Sequence, residues 1–503
     1  MKRGGIEQSK RNAGRDELSA RVFFKPFPAA VSLRGDRVIK ALYSLARKEK
    51  RKVFLVGGLL RNLALSEDNG PDYDIVLDGD AGSFARSAAR TLRGTSFMLD
   101  KKALSFRVVV KGRRKRPTVV IDISLMKDNE IEEDLKERDF TIDALGMDIA
   151  SVFSESLLAC DPTGGLEDAA RKRLAVTGGR VFDDDPLRVL RAVRLSQCYG
   201  LEITADTRML MGSRAVLLKG VSVERVRDEL IGIFTFPGTA ASIELCYWSG
   251  IIEAVLPLLA GWGDAGGYDL KAHALRTVEQ AELIAGGVLS GGYLASFPKL
   301  KGYLCGGIGP VSRVALFKLS ALLHDAGKPQ TISRDSGRLR FIGHEQKGEG
   351  LVKDLLTGLK LSRKAASFIS MMAANHHRLF MLAAMENPSA RAMAHFFRSA
   401  SGDNGIMLIL LALADARATR GGEDPALLEA AQELLAFYYT AYTRRKPRPL
   451  LSGDEIMKEF GVSEGRDVGD IIAKISEGVE TGAISSRAGA IAYVNRWRFS
   501  GGG

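Results

Sequence analysis

Histidine is absent from the first 272 residues of this 503-residue chain. Its six copies lie between His273 and His395, so imidazole chemistry is confined to the second half. Cysteine is also scarce: Cys160, Cys198, Cys246 and Cys305 are scattered and form no CxxC pair. That spacing argues against a disulfide framework and a thiolate zinc site, and leaves ordinary buried thiols. No apolar run approaches the ~20 residues that cross a bilayer; the most apolar stretch, Leu408 to Ala414, soon meets Asp415. The start, MKRGGIEQSKRNAGRDELSARVFFKPFP, lacks an apolar segment followed by small residues, so no secretory signal is indicated and the cytoplasm is expected. A fixed-period repeat and a long low-complexity tract are missing as well.

What is present is a soluble, multidomain composition. With 46% hydrophobic residues the chain can bury several cores, and its length suggests three or four modules. Lys plus Arg outnumber Asp plus Glu by 72 to 60, a net charge of +12 that favours a polyanionic partner such as nucleic acid. The excess is concentrated in residues 1–37, with nine basic and four acidic side chains, in KGRRKR at 111–116 and in TRRKPRP at 443–449. Each run taken singly fits a solvated loop equally well.

The pattern along the chain predicts α+β architecture. Helical spacing over 37–48 is followed by the short apolar strand and glycine turn of RKVFLVGG. YDIVL at 73–77, SFRVVV at 105–110 and TVVIDIS at 118–124 read as further strands, with a helix over 81–92. From about Glu167 onward the spacing is helical, with no convincing strand. The expected division is a basic extension over 1–37, read as flexible, an α/β head over 38–150, a helical neck over 151–262, a helical module over 263–442, and a linker with a helical tail over 443–503.

Chemistry is first suggested by VGGLLRNLAL followed by PDYDIVL. Gly57 and Gly58 precede a helix and allow close backbone approach to phosphates, where Arg61 offers a fork of donors. Asp72 and Asp74, two apart on the following strand, share one face and supply the hard oxygens that Mg²⁺ prefers when it also holds a triphosphate. A lone DxD is a weak signal, because surface acidic pairs are common. Here it is followed by ERDFTIDAL at 137–145 and DDPLRVLRAVR at 184–194, in that order within about 140 residues.

That combination resembles the bacterial poly(A) polymerase and tRNA nucleotidyltransferase family, the class II branch of the polymerase β superfamily, from about Val53 to Leu230. The resemblance implies a polymerase-β-like head, an all-α neck and template-independent addition of nucleotides to an RNA 3′ end. It implies that Gly58 and Arg61 contact the incoming nucleotide, that Asp72 and Asp74 bind catalytic metal, and that Arg138 reaches the triphosphate. Asp122 is a third carboxylate that could take the proton of the attacking 3′-hydroxyl, although a strand-terminal Asp can equally be a cap. Asp185 and Arg188, three apart, are expected on one helix face, where the family's pair reads the base edge of CTP or ATP, with Arg191 and Arg194 continuing a basic stripe toward phosphates. Glu224, in VERVRDEL, resembles a neck-stabilising position. Two residues depart from the family pattern: Asn62 stands where an Asp commonly follows the arginine, and Asp143 stands where RDFTINA has Asn.

The histidines form a second constellation. His273, the doublet His324-Asp325 in LLHDAGKPQT, and Asp415 in LALADAR have the order H…HD…D, similar to the HD phosphohydrolase superfamily. An imidazole and carboxylate shell suits a divalent cation, Mg²⁺, Mn²⁺, Ni²⁺ or Co²⁺, that activates water toward phosphorus. His344, with His376 or His377, could complete a second metal site or bind the phosphate, and each could equally be structural. His395 is read as packing. Phosphomonoester or 2′,3′-cyclic phosphate hydrolysis is the expected chemistry.

The expected partners are tRNA or another RNA 3′ end with CTP and ATP. Only fifteen residues separate Asp122 from Arg138, around LMKDNEIEEDLKE. The short segment resembles family members that add only two cytidines. Complete CCA addition, terminal A addition and poly(A) synthesis stay open on length alone, as does a phosphohydrolase carrying a degenerate RNA-binding head.

Overall fold

The computed structural model describes residues 23–67, 73–101, 104–112, 117–264, 267–336, 338–385, 387–443, 450–480 and 483–499. Asp72, residues 1–22 of the basic extension, residues 113–116 of KGRRKR and residues 444–449 of TRRKPRP lie outside them. The chain divides into two compact units, Met1–Val221 with Trp248–Ala254, and Ser222–Tyr247 with Val255–Gly503.

The first unit is built on an eight-stranded mixed sheet of order β1-β8-β7-β2-β3-β6-β5-β4. Its strands are β1 (Phe24–Pro26), β2 (Val53–Val56), β3 (Tyr73–Leu77), β4 (Thr95–Asp100), β5 (Ser105–Val110), β6 (Val119–Leu125), β7 (Gly146–Asp148) and β8 (Leu158–Cys160). The edge strand β1 pairs Phe24 with Cys160, so the end of the stretch expected to be flexible is strand instead. Both β1 and β8 join the sheet from outside 38–150.

Helix α1 (Arg37–Glu49) starts where Asp36 accepts hydrogen bonds from the Val38 and Ile39 amides, filling two of the donors a helix start leaves open. With α2 (Gly58–Leu65) and α3 (Ala81–Leu92) it covers one sheet face. The period of two in β3 sends Tyr73, Ile75 and Leu77 into the main core with Ile39, Leu60 and Phe84. Val76 packs in a smaller cluster on the other face with Phe54, Val56 and Ala144. Asp74 points to that second face too, which leaves its carboxylate outside the main core.

After β8 the first unit continues through α4 (Gly165–Ala170), α5 (Val181–Asp184), α6 (Arg188–Tyr199) and α7 (Ala205–Arg214). In the second unit the elements that matter are α8 (Val223–Thr235), α9 (Leu270–Ser290), α10 (Arg313–Leu323), α11 (His344–Gly358), α12 (Arg363–Asn375) and α13 (Asn404–Arg420). A tail of α14 (Gly453–Phe460), α15 (Arg466–Glu480) and α16 (Arg487–Phe499) packs around Leu451, Ile456, Ile471 and Val494. Among the described residues, three two-stranded pairs also occur after residue 167, each strand two or three residues long, too brief to leave an alternating pattern in the sequence. No described helix is long and apolar enough to cross a membrane.

Candidate active sites

The first site lies where β2, β3 and β6 adjoin. Val56 pairs with Asp74 across the antiparallel β2–β3 ladder, and Asp74 is level with Asp122 across the parallel β3–β6 ladder. Level partners in a sheet project to the same face. Two carboxylates therefore stand side by side, with Asp72 one residue before β3.

Gly57 follows β2 with φ 67° and ψ −134°, a conformation essentially closed to residues with a side chain. A methyl group built on Gly57 would stand 3.0 Å from Asp74 Oδ2 and 3.2 Å from Arg138 Nη1. The glycine thus brings backbone, carboxylate and guanidinium to one point, at the start of α2. Arg138 is held by Asp134 at 3.3 Å, within the short segment that joins Asp122 to it. That segment is filled by a 3-10 turn at Lys127–Asn129 and a helical turn at Ile131–Lys136.

Two positions depart from expectation. Arg61 is only 9% exposed. Its Nη1 donates to Asp143 Oδ1 at 2.6 Å, its Nη2 to the Tyr199 hydroxyl at 2.7 Å, and its Nε and Nη2 to Asn62 Oδ1 at 3.3 and 3.2 Å. The fork expected to meet phosphate is occupied by protein. Asp185 and Arg188 do not share a helix face: Asp185 is extended (φ −146°, ψ 98°), as the residue before Pro186 must tend to be. Helix α6 begins only at Arg188, and Asp185 instead accepts from the Leu187 amide with its side chain and from the Arg188 amide with its carbonyl. Arg188 Nη1 reaches the Val181 carbonyl at 3.3 Å. Arg191 pairs with Asp139 at 3.0 Å and lies 3.9 Å from Asp143, while Arg194 follows on the same helix.

Sequence reading missed Arg107. Opposite Asp122 across β5–β6, it grips both oxygens of that carboxylate at 2.7 Å, so the third carboxylate carries a cationic partner. A charged residue within the apolar strand SFRVVV, on the same face as an acid, was the available signal.

The second site, within the second unit, gathers side chains from helix ends. His273 comes from the first turn of α9, His324 and Asp325 follow α10, His344 opens α11, His376 and His377 follow α12, and Asp415 lies in α13. His273, His324, Asp325, His344, His376 and Asp415 are all buried. Asp325 joins two halves. Its Oδ2 lies 3.4 Å from His273 Nε2 and 3.2 Å from His324 Nε2, with Asp415 Oδ1 3.2 Å from His273; its Oδ1 lies 3.6 Å from His344 Nε2 and 3.5 Å from His376 Nε2.

Tautomers can be read from the partners of the other ring nitrogens. Nδ1 of His324, His344 and His376 meets the carbonyls of Ala321, Phe341 and Ala373 at 2.9, 2.7 and 2.8 Å, and only an N–H can satisfy a carbonyl. In the neutral rings each Nε2 is then a lone pair. The Nε2 atoms of His344 and His376 then face one another 3.4 Å apart, His273 Nε2 lies 3.2 Å from that of His324, and all four face carboxylate oxygens as well. Acceptors directed at acceptors in a buried site need a proton or a metal cation between them; burial opposes charge on His273 and His376, yet Asp325 raises the pKa of both. Ligand atoms about 2.1 Å from one metal stand roughly 3.0–3.4 Å apart, so the residues present fit one or two divalent ions.

Burial opposes charge on Asp325, yet the facing imidazoles hold it well below the usual carboxylate range. Asp415, also buried, is held at about 2 by His273 and His324. Burial and the neighbouring His376 and His344 push His377 down to about 4, with Glu345 3.0 Å from its Nδ1. Lys328 donates to Asp325 Oδ2 at 2.5 Å and to the Tyr268 hydroxyl at 2.9 Å. His395 lies apart from this centre, beside Phe396, Met381 and His377 along a cleft of about 400 Å³.

Comparison with known proteins identifies the domains in which the two sites lie. Residues 53–175 match the family described as "Poly A polymerase head domain", residues 200–262 "Probable RNA and SrmB- binding site of polymerase A", and residues 271–420 "HD domain". An A-adding tRNA nucleotidyltransferase of Deinococcus radiodurans is 29% identical over 458 residues, covering 88% of this chain and 95% of its own. A CC-adding tRNA nucleotidyltransferase of Thermus thermophilus is also 29% identical, over 89% of this chain and 94% of its own. Among solved structures, a CCA-adding enzyme complexed with ATP superposes with a TM-score of 0.65 at 20% identity, covering 94% of this chain and 99% of that one. At that identity the likeness establishes the fold. The transferase and HD families are both metal-dependent.

Proposed function

The chain belongs to the tRNA nucleotidyltransferase and bacterial poly(A) polymerase family, with an HD domain behind its head and RNA-binding region, and from that premise we propose that it adds cytidines, without a template, to the 3′ end of tRNA. The observation that carries this reading is the level pairing of Asp74 with Asp122 beside Gly57 and Arg138. Mg²⁺ held by Asp72 and Asp74 would supply the charge that a triphosphate and departing pyrophosphate require. Gly57 and Gly58 bring backbone amides close to the phosphates, and Arg138 adds a cation there. Asp122 accepts the proton of the attacking 3′-hydroxyl once Arg107 yields one of its oxygens. Arg188, opening α6, addresses the base, while Arg191 and Arg194 keep that helix basic toward phosphate. Arg61 acts through Asp143 and Tyr199 on the placement of α2. RNA is held through its backbone by basic helices of the neck and tail.

The second site is a phosphohydrolase centre whose ligands are His273, His324, Asp325 and Asp415, with His344 and His376 completing a second cation position and His377 beside it. A divalent ion, Mg²⁺, Mn²⁺, Ni²⁺ or Co²⁺, would supply Lewis acidity toward a phosphoryl oxygen. Lys328 neutralises Asp325 and orients Tyr268 over the site.

Cytidine addition rests on the compact 123–137 segment, tied down by the Asp134–Arg138 pair. Terminal A addition is the second reading, since the Deinococcus radiodurans relative is an A-adding enzyme. The test offers tRNAs ending before the first C, after one C and after both, each with CTP, ATP or both. Extension of the first two with CTP, stopping at CC, is expected; A added to the CC-ending tRNA would overturn it, and long A tails on unrelated RNA would indicate a poly(A) polymerase.

A further inference from the structure

The two residues that break the family pattern touch the same guanidinium. Asn62, where an Asp is usual, accepts from Arg61 Nε and Nη2 at 3.3 and 3.2 Å, and from the Tyr199 hydroxyl at 2.9 Å. Asp143, where an Asn is usual, accepts from Arg61 Nη1 at 2.6 Å. All four residues are buried, with Asn62 8% and Asp143 3% exposed. A buried guanidinium needs a carboxylate, and a second carboxylate beside it adds a charge for which Arg191, 3.9 Å from Asp143 Oδ2, is a distant partner. This chain places one acid, Asp143, and one amide, Asn62, around the arginine, and the two positions touch it from different elements.

We propose that Asn62 and Asp143 are a single compensated exchange, and that with Arg61 and Tyr199 they form a positioning device that sets the nucleotide-selecting helix against the glycine turn. The device joins three pieces of the transferase site. Arg61 and Asn62 lie on α2, which starts at the Gly57 turn. Asp143 ends the 3-10 turn Thr141–Asp143, five residues beyond Arg138, and Tyr199 is the last residue of α6, the helix opened by Arg188. Asp143 Oδ2, buried and without a hydrogen-bond partner, faces Arg191 of α6 at 3.9 Å. Geometry permits the exchange in either direction. A carboxylate at 62 would find three donors already in place, and an amide at 143 retains the oxygen that Nη1 requires.

The inference rests on the nucleotidyltransferase reading for its kinetic part and on geometry alone for its structural part. The experiment is a double-mutant cycle of wild type, Asn62→Asp, Asp143→Asn and the double variant, followed by thermal unfolding and by kcat/KM for CTP and ATP on tRNA. Asn62→Asp crowds two carboxylates against one guanidinium, and Asp143→Asn leaves that guanidinium without any. Each single variant is expected to unfold at lower temperature, to lose about tenfold or more in kcat/KM, and to change its CTP-to-ATP ratio. The double variant is expected to return near wild type in all three. Additive losses, or a double variant that fails to fold, would overturn the exchange. Singles that unfold earlier while keeping wild-type kcat/KM and nucleotide ratio would overturn the positioning role. If wild type extends no tRNA with either nucleotide, the transferase reading falls, and the unfolding cycle still decides whether the residues are coupled.

Discussion

At the scale of single residues, the transferase site depends on a position where no side chain fits. Gly57 has a backbone conformation that costs other residues about 1–3 kcal/mol, and its missing Cβ is the space into which Asp74 and Arg138 converge. Gly57→Ala is therefore expected to destabilise the first unit by that amount and to displace the carboxylate, lowering nucleotide incorporation at least about tenfold. Asp74→Ala should abolish incorporation while unfolding at nearly the wild-type temperature, because Asp74 faces away from the main core. Normal incorporation by Asp74→Ala would remove the proposed metal ligand, and a fully active Gly57→Ala would show the close approach to be dispensable. The sequence made Gly57, Asp74 and the histidines legible because they fall in ordered motifs. It did not reveal Arg107 or the occupied state of Arg61, since both depend on which residues the sheet and the neck helix place opposite them.

At the scale of elements, strands buried on one face were legible. YDIVL and SFRVVV carry a period of two or an unbroken apolar run, and they fold as β3 and β5. The missed strands are edge or short ones. β4 is largely exposed, and β1, β7 and β8 have three residues each, stabilised by pairing rather than by their own pattern. The helix expected to carry both Asp185 and Arg188 starts later because Pro186 restricts its predecessor. Helix α10 shows the converse, a cation where the pattern is apolar. Lys318 is 1% exposed, and its Nζ donates to the Phe236 carbonyl and the Thr239 hydroxyl at 2.7 and 2.8 Å, with Glu282 at 3.5 Å.

Burial outweighs Glu282 and lowers the Lys318 pKa from its ordinary 10.5. Between the lowered folded value and 10.5 the unfolded chain binds more protons than the folded one, so this group contributes stability that rises with pH. Its charging cost is fully present below the folded value. In denaturant unfolding at a series of alkaline pH values, wild type minus Lys318→Met should give a positive slope across that window. A flat difference would mean that Lys318 titrates alike in both states.

At the scale of the whole molecule, the candidate transferase residues belong to the first unit, and the candidate ligands of the second site come wholly from the second. The clustering of histidine after residue 272 foreshadowed that separation, because a transferase head built on carboxylates needs no imidazole. Binding at the second site should therefore stabilise the second unit alone. A cation that binds only the folded form adds RT ln(1 + [L]/Kd), about 2.7 kcal/mol at a hundredfold excess over Kd. In the full chain, Mn²⁺ is expected to raise one calorimetric transition and a chelator to lower it. Asp74→Ala should keep that response, since its carboxylate belongs to the other unit. The combined His324→Ala and Asp325→Ala variant should lose it together with metal-dependent hydrolysis of p-nitrophenyl or 2′,3′-cyclic phosphates, and should still extend tRNA with CTP. The same Mn²⁺ shift in that variant would sink the assignment of the cation to these ligands. Loss of CTP addition in a variant whose first unit unfolds as in wild type would show that the two activities are not separable.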